Sequence, residues 1–382
     1  MDIDDSIIIG EFTDRVNELL LQGHDLEDID ATKIENDIIN SVDIMPAGIR
    51  RKIKSQVRKI RRSRLRTAGK VRRDIAGHWK SAMGLLDDCL ATANLVNARL
   101  VQTVFRNGDI LRNKNPRPVP DTITGAYVKC LHLLALYGKS CRVATEISHL
   151  LQVGFPDAAA SRFRTLYEHL VVMMLLHNDS TYELSEGYQD SAVFEYIKRL
   201  KADQTSMTDP FWSGADPILE KLANEIQDME LAAAEIITRR GPKIKIQYEW
   251  ARPALPERKR SNPKYKIDFT DLEEAAGAGF LRTFYMLGND RIHAGAYGVI
   301  NHFDFKSPNV SMTRQRRDDW TIYMIGSGLP TLISWATRAA CKSIGWETEE
   351  YDEVLYACAV QHVADAAVKA FAKTGIESRA SS

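Results

Sequence analysis

Cysteine is scarce. Five occur in 382 residues, at positions 89, 130, 141, 341 and 358, and none forms a C-x-x-C pair. An odd, scattered set excludes a disulfide framework and a paired-cysteine zinc site. Each lies in a helix-like apolar stretch, so the expectation is buried, reduced thiols in the cytoplasm. H-E-x-x-H and G-x-S-x-G are missing as well, which removes the common metalloprotease and serine-hydrolase patterns. Gly138-Lys139-Ser140 ends like a phosphate-binding loop, but Leu133 sits where the earlier glycine is required, and a helical pattern precedes it where a strand is needed. Gly277-Ala278-Gly279 is too short for a dinucleotide fingerprint. Long apolar runs are nearly absent. Thr321 to Thr337 carries no charge over 17 residues, but it holds two glycines, a proline and several hydroxyls, and runs into Arg338. That is short and polar for a membrane span, so a buried core helix is expected. The start, MDIDDSIIIG, lacks the basic beginning and long apolar core of a signal peptide.

Charge is balanced over the chain and segregated within it. Residues 1–47 carry 13 Asp/Glu against Arg15 and Lys33, a net of −11. Residues 48–73 carry 13 Lys/Arg and no acid. Within the basic stretch Ile49, Ile53, Val57, Ile60, Leu65, Ala68 and Val71 recur at helical steps, which predicts an amphipathic helix under an arginine-rich surface. Arg50, Arg51, Arg58, Arg61, Arg62, Arg64 and Arg66 are its candidate contacts to nucleic acid, RNA or DNA, bound through phosphates without regard to sequence. An anionic membrane surface could be met by the same helix lying flat. The internal alternative is that the acidic arm folds back onto it. The two readings combine if the arm competes with a polyanion for the helix.

Helical periodicity fills most of the remainder: 78–108, then 122–152, 156–178, 181–203, 214–240, 268–287, 312–343 and 350–374. Residues 113–121 form a proline-rich loop, and Gly154-Phe155-Pro156 breaks two helices. Residues 241–267 hold four prolines and alternate as Ile244, Ile246, Tyr248 and Trp250, which reads as a short strand or extended excursion. The expected architecture is all-α: an acidic arm over 1–47, a basic helix over 48–74, and one main helical domain over 75–382.

Two polar constellations carry the chemistry. In SRFRTLYEHLVVMMLLHND, residues 161–179, Arg162, Arg164, Glu168 and His169 precede an uncharged run from Leu170 to Leu176. Arg164 and Glu168 are four apart and can pair; Arg162 and His169 are seven apart and share a face. A carboxylate beside the apolar half of a helix calls for a compensating cation, so a structural Arg–Glu bridge is the plain reading. The second constellation, LGNDRIHAGAYG over 287–298, holds Asn289, Asp290, Arg291 and His293 before two glycines; its plain reading is a helix C-cap. If His293 meets the Arg164–Glu168 face, a cation, a carboxylate and an imidazole share one site, a set that can bind or cleave a phosphodiester. Arg164, Glu168, His169 and His293 are the candidate catalytic residues, with Arg162, Asp290 and Arg291 in support. Glu146/His149 and Asp290/His293 have the spacing used by di-metal bundles but lack further inward carboxylates, so ordinary helix hydrogen bonding is expected and no metal or cofactor is assigned.

ASRFRTLYEHLVVMMLL together with NDRIHAGAYG resembles the bacterial helical family labelled domain of unknown function 5677, which has an R-[ST]-L-x-E helix and a later V-H-[AGP] step. Arg164, Thr165, Leu166 and Glu168 fit the first; Ile292, His293 and Ala294 fit the second. HWKSAMGLLD resembles that family's first helix, which would extend the likeness over about 75–345. The family implies no activity. A wider resemblance is to the HEPN superfamily of helical ribonucleases and toxins, marked by Arg, four to six residues, then His. Arg162 and Arg164 with His169 fit, as do Arg142 with His149 and Arg72 or Arg73 with His78, so the pattern alone discriminates little. That resemblance implies a ribonuclease, a role as toxin or phage-defence effector, and a homodimer with a composite site. The alternatives are a non-enzymatic sensor or scaffold whose basic helix holds nucleic acid or a partner protein, and a di-metal helical enzyme.

Overall fold

A computed structural model describes residues 14–19, 21–22, 47–114, 125–207, 216–283, 285–286 and 317–380, with side chains throughout except at 47–50, 216, 379 and 380. The architecture is all-α, with no strand among the described residues. The chain divides into two compact units, Met1–Thr67 and Ala68–Ser382.

Helix α1, Ala47–His78, crosses the boundary between them. In the first unit, Arg51, Arg58, Arg61, Arg62, Arg64 and Arg66 are exposed. So are three members of the apolar stripe, Val57, Ile60 and Leu65, each more than half exposed. The side chain of Arg50 and the acidic residues before it, apart from Asp14 and Glu18, lie outside the described residues.

The second unit is a bundle of α2 (Lys80–Arg106), α4 (Ala126–Gln152), α5 (Pro156–His177), α10 (Asp319–Thr348) and α11 (Glu353–Ala380). A short α3 (Gly108–Asn113) follows α2, and α6 (Glu183–Met207) and α7 (Asp216–Arg240) form a paired arm. Helix α10 contains the uncharged run and packs against α2, α4, α5 and α11. Its lack of charge has a simple cause: Ile322, Ile325, Leu329, Leu332, Ile333, Ala336 and Ala340 are buried along one face, and Pro330, Ser334, Thr337 and Cys341 are buried on the adjoining one. Asp318 starts it by accepting hydrogen bonds from Thr321 N at 3.0 Å and Thr321 Oγ1 at 2.9 Å. Gly326 makes room there, because a Cβ would come within 2.2 Å of the ring edge of Phe371 on α11. No helix among the described residues is long and apolar enough to cross a membrane.

Gly154, in the left-handed region at φ 81°, turns the chain between α4 and α5, and Pro156 begins the new helix. The extended excursion expected over 241–267 does not form. Residues Pro242–Lys245 and Glu249–Ala254 are 3₁₀ turns, followed by α8 (Glu257–Arg260). Ile244 and Trp250 are buried, Ile246 is 45% exposed, and Tyr248 takes a left-handed φ of 66°. The apparent alternation is therefore broken at its centre, and the described residues supply no strand for it to pair with. A capping box between Asp268 and Asp271 then opens α9 (Phe269–Ala276). Four cysteines are buried, but Cys358 is exposed, because it falls on the outer side of α11.

Candidate functional site

Helices α4 and α5 run antiparallel, which brings residues far apart in the chain into register. Arg162 Nε on α5 donates to Glu146 Oε2 on α4 at 2.8 Å, and His169 Nδ1 lies 3.4 Å from Ser140 Oγ. Arg162 and His169 thus use their shared face to meet α4. Arg142 Nε is 3.9 Å from the other Glu146 oxygen, so one carboxylate lies between two guanidiniums. Arg142, Thr145 and His149 fall on one face of α4 because they are three and four residues apart. Together with Arg162 and Asn94 of α2 they line an open groove of about 670 Å³.

His149 is exposed at the groove edge, with Nδ1 2.9 Å from the backbone oxygen of Thr145. A carbonyl oxygen can only accept, so Nδ1 carries the hydrogen and Nε2 of the neutral ring keeps its lone pair for the groove. His169 is buried behind the same cations. Burial, with lesser contributions from Lys139, Arg162 and Arg142, pushes its pKa down to about 4 from 6.5. Ser140 donates its hydroxyl to Leu136 O at 2.7 Å, which leaves its oxygen to accept from His169. His169 is therefore a neutral support of the groove wall at pH 7.

That burial has a measurable consequence. As pH falls from 6.5 towards 4, the unfolded chain takes up a proton that native His169 refuses. Stability contributed above pH 6.5 is lost through that window, by about 3 kcal/mol at its lower end. Urea unfolding at a series of pH values should show this slope, and His169→Gln should lose that part of it. An unchanged slope in the variant would place the acid sensitivity elsewhere.

Arg164 and Glu168 point away from the groove. They pair at 2.9 Å, 23% and 38% exposed, and the Arg164 guanidinium lies 4.8 Å from the ring centre of Tyr285. Tyr285 stacks on Phe269 at 5.3 Å, and burial followed by the Glu168 charge raises the pKa of nearby Tyr248. Glu168 and His169 are adjacent in sequence yet face different neighbours, since successive helical residues differ by about 100°. Asp290, Arg291 and His293 lie outside the described residues, and so does the expected meeting of His293 with Arg164 and Glu168. Among the described residues no group of three or more His, Cys, Asp or Glu is placed to hold a metal ion.

The Arg162–Glu146 link was the feature missed by sequence reasoning. Both Glu146/His149 and Arg142/His149 were visible as spacings, but only the α4–α5 register shows that they share a groove with Arg162.

Residues 131–310, a little under half of the chain, match the model described as a family of unknown function (DUF5677). The match begins within α4 and covers both polar constellations; residues 78–87, read as the family's first helix, lie outside it. No curated protein matches the chain, and no solved structure does.

Proposed function

We propose that this protein binds nucleic acid and that the α4–α5 groove cleaves RNA. The observation that carries the reading is the groove itself: Arg142 and Arg162 share one carboxylate, with the exposed His149 lying one turn beyond Glu146 on the same wall. Two guanidiniums against one carboxylate leave a net positive charge for a phosphodiester, and their planar forks suit its oxygens. His149 Nε2 can take the proton of a ribose 2′-hydroxyl. The 2′-oxygen then attacks phosphorus, the P–O5′ bond breaks, and the proton passes to O5′. The products are a 2′,3′-cyclic phosphate and a 5′-hydroxyl. The arginines stabilise the charge that builds on the phosphorane oxygens. Both Arg-x₆-His pairs, Arg142/His149 and Arg162/His169, border this groove, which supports the HEPN-like reading and the homodimer that goes with it. The exposed arginines of α1 supply, by themselves, a sequence-blind affinity for nucleic acid.

Purified protein incubated with mixed-sequence RNA should yield cyclic-phosphate ends by mass spectrometry. His149→Ala should slow cleavage about 100-fold or more while the melting temperature stays in place, because the side chain is exposed. Arg162→Gln should slow it comparably. Full activity in His149→Ala would overturn the assignment, and loss confined to Glu168→Gln and His293→Ala would move the chemistry to the other face of α5. A second reading, a scaffold that holds a partner protein, is favoured by the exposed Val57, Ile60 and Leu65 stripe. Absence of RNA cleavage together with stable capture of a partner on α1 would support it.

A further inference from the structure

A different cavity, of about 390 Å³, lies where the start of α4 and the end of α5 meet the end of α10 and the start of α11. It lies about 20 Å or more from the groove, since Lys129 and Arg142 are 13 residues apart on α4 at 1.5 Å per residue. Its polar wall holds Lys129, His177, Lys342 and one acid, Glu347. That acid is already engaged: Lys129 Nζ lies 3.2 Å from Oε1, and Tyr182 donates its hydroxyl to Oε2 at 2.9 Å. Lys342 makes no ion pair or hydrogen bond among the described residues, so its charge is uncompensated. His177 is fixed beside it through Ser343, 2.7 Å away. Burial, Lys129, Lys342 and Arg338 all lower its pKa, so cationic groups surround it.

The other wall is aromatic. Trp346 and Tyr351 are 69% and 60% exposed and meet at 74° with ring centres 6.2 Å apart, forming a corner. Two large rings left in water beside an uncompensated ammonium define a ligand with a flat π face and an anionic end. The volume admits one such unit. We infer that this cavity binds a nucleoside 5′-monophosphate, with the base stacked on Trp346 and the phosphate held by Lys342 and His177. Base–aromatic stacking and cation–phosphate contact are the two interactions that this pair of walls supplies. The inference does not rest on cleavage in the groove. The same chemistry is offered by a free nucleotide or by the 5′-phosphorylated end of a strand.

Full-length protein should be titrated with each of the four ribonucleoside 5′-monophosphates, with adenosine, with inorganic phosphate and with a 5′-phosphorylated trinucleotide. Calorimetry and tryptophan fluorescence provide two readouts. At least one monophosphate should bind at least ten times more tightly than either adenosine or phosphate. Trp346→Ala and Lys342→Gln should each weaken it about tenfold or more, with Trp346→Phe within a few-fold of the parent. Tighter binding of the trinucleotide identifies the strand end as the source; tighter binding of the monophosphate identifies the free nucleotide. Both variants alter partly or largely exposed side chains, so thermal unfolding should be unchanged. If neither the monophosphates nor the trinucleotide bind, or if Trp346→Ala binds as well as the parent, the assignment is wrong.

Discussion

Glu347→Ala should destabilise the second unit by about 3–5 kcal/mol. The effect follows from what is left behind. Lys129 and Glu347 are 6% and 7% exposed at their side chains, and the Lys129 ammonium also donates to Asp179 O at 2.7 Å. Without the carboxylate, Lys129 must remain charged in a low-dielectric site or give up its proton, and Tyr182 loses its acceptor. Tyr182 has a left-handed φ of 64°, a conformation that costs a tyrosine energy and depends on its surroundings to hold it. The single variant should therefore also loosen the turn between α5 and α6, read as faster amide exchange around 179–185. Replacing both partners, Lys129→Met with Glu347→Leu, should recover most of the loss, because a well-packed apolar pair avoids the desolvation of two ions. Urea midpoints of the parent, Glu347→Ala and the double variant provide the measurement. A single variant as stable as the parent would show that water reaches Lys129 in solution.

Removing residues 1–47 should have the largest effect on binding. It deletes a net charge of −11 from a chain of net charge zero, leaving +11. If the acidic segment competes for α1, the truncated protein should bind single-stranded RNA more tightly than the full chain at 50 mM salt. Its affinity should then fall by about a thousandfold towards 200 mM, the steepness expected when several phosphates are neutralised and their counterions released. The full-length protein should show a weaker dependence. Arg58, Arg61, Arg62 and Arg66 are exposed, so changing all four to Gln should abolish the gain without altering unfolding of the second unit. Equal salt slopes with and without the arm would end the competition idea.

The parts of this fold that were legible in sequence are those where one periodicity dominates. The break at Gly154-Phe155-Pro156 and the uncharged stretch of α10 follow from local chemistry, since glycine turns, proline starts and a helix packed by four neighbours keeps few charges. The segment at 241–267 misled because alternation over four residues is too brief to separate a strand from 3₁₀ turns. Pro242 and Pro253 prove compatible with the turns that form. The candidate site divides in the same way. Spacing placed Arg162 with His169, and Arg164 with Glu168, on their own helical faces. It could not place Glu146 under Arg162, because that contact depends on how α4 and α5 align and no pattern within either helix records it. Cys358 illustrates the same limit, as an apolar neighbourhood in sequence says little about which side of α11 faces out.

The position of α10 affects how the chain is made. This helix touches α2, α4, α5 and α11, yet it is synthesised only after more than 300 residues have been joined. Until then α2, α4 and α5 can pack on one another, but each lacks the neighbour that α10 supplies. The surfaces of these helices that meet α10 stay uncovered for the time needed to translate about 140 further residues, roughly ten to thirty seconds at bacterial-type elongation rates. Nascent chains stalled before α10 should accordingly be held by holdase chaperones and remain open to protease, and those stalled after α11 has emerged should not.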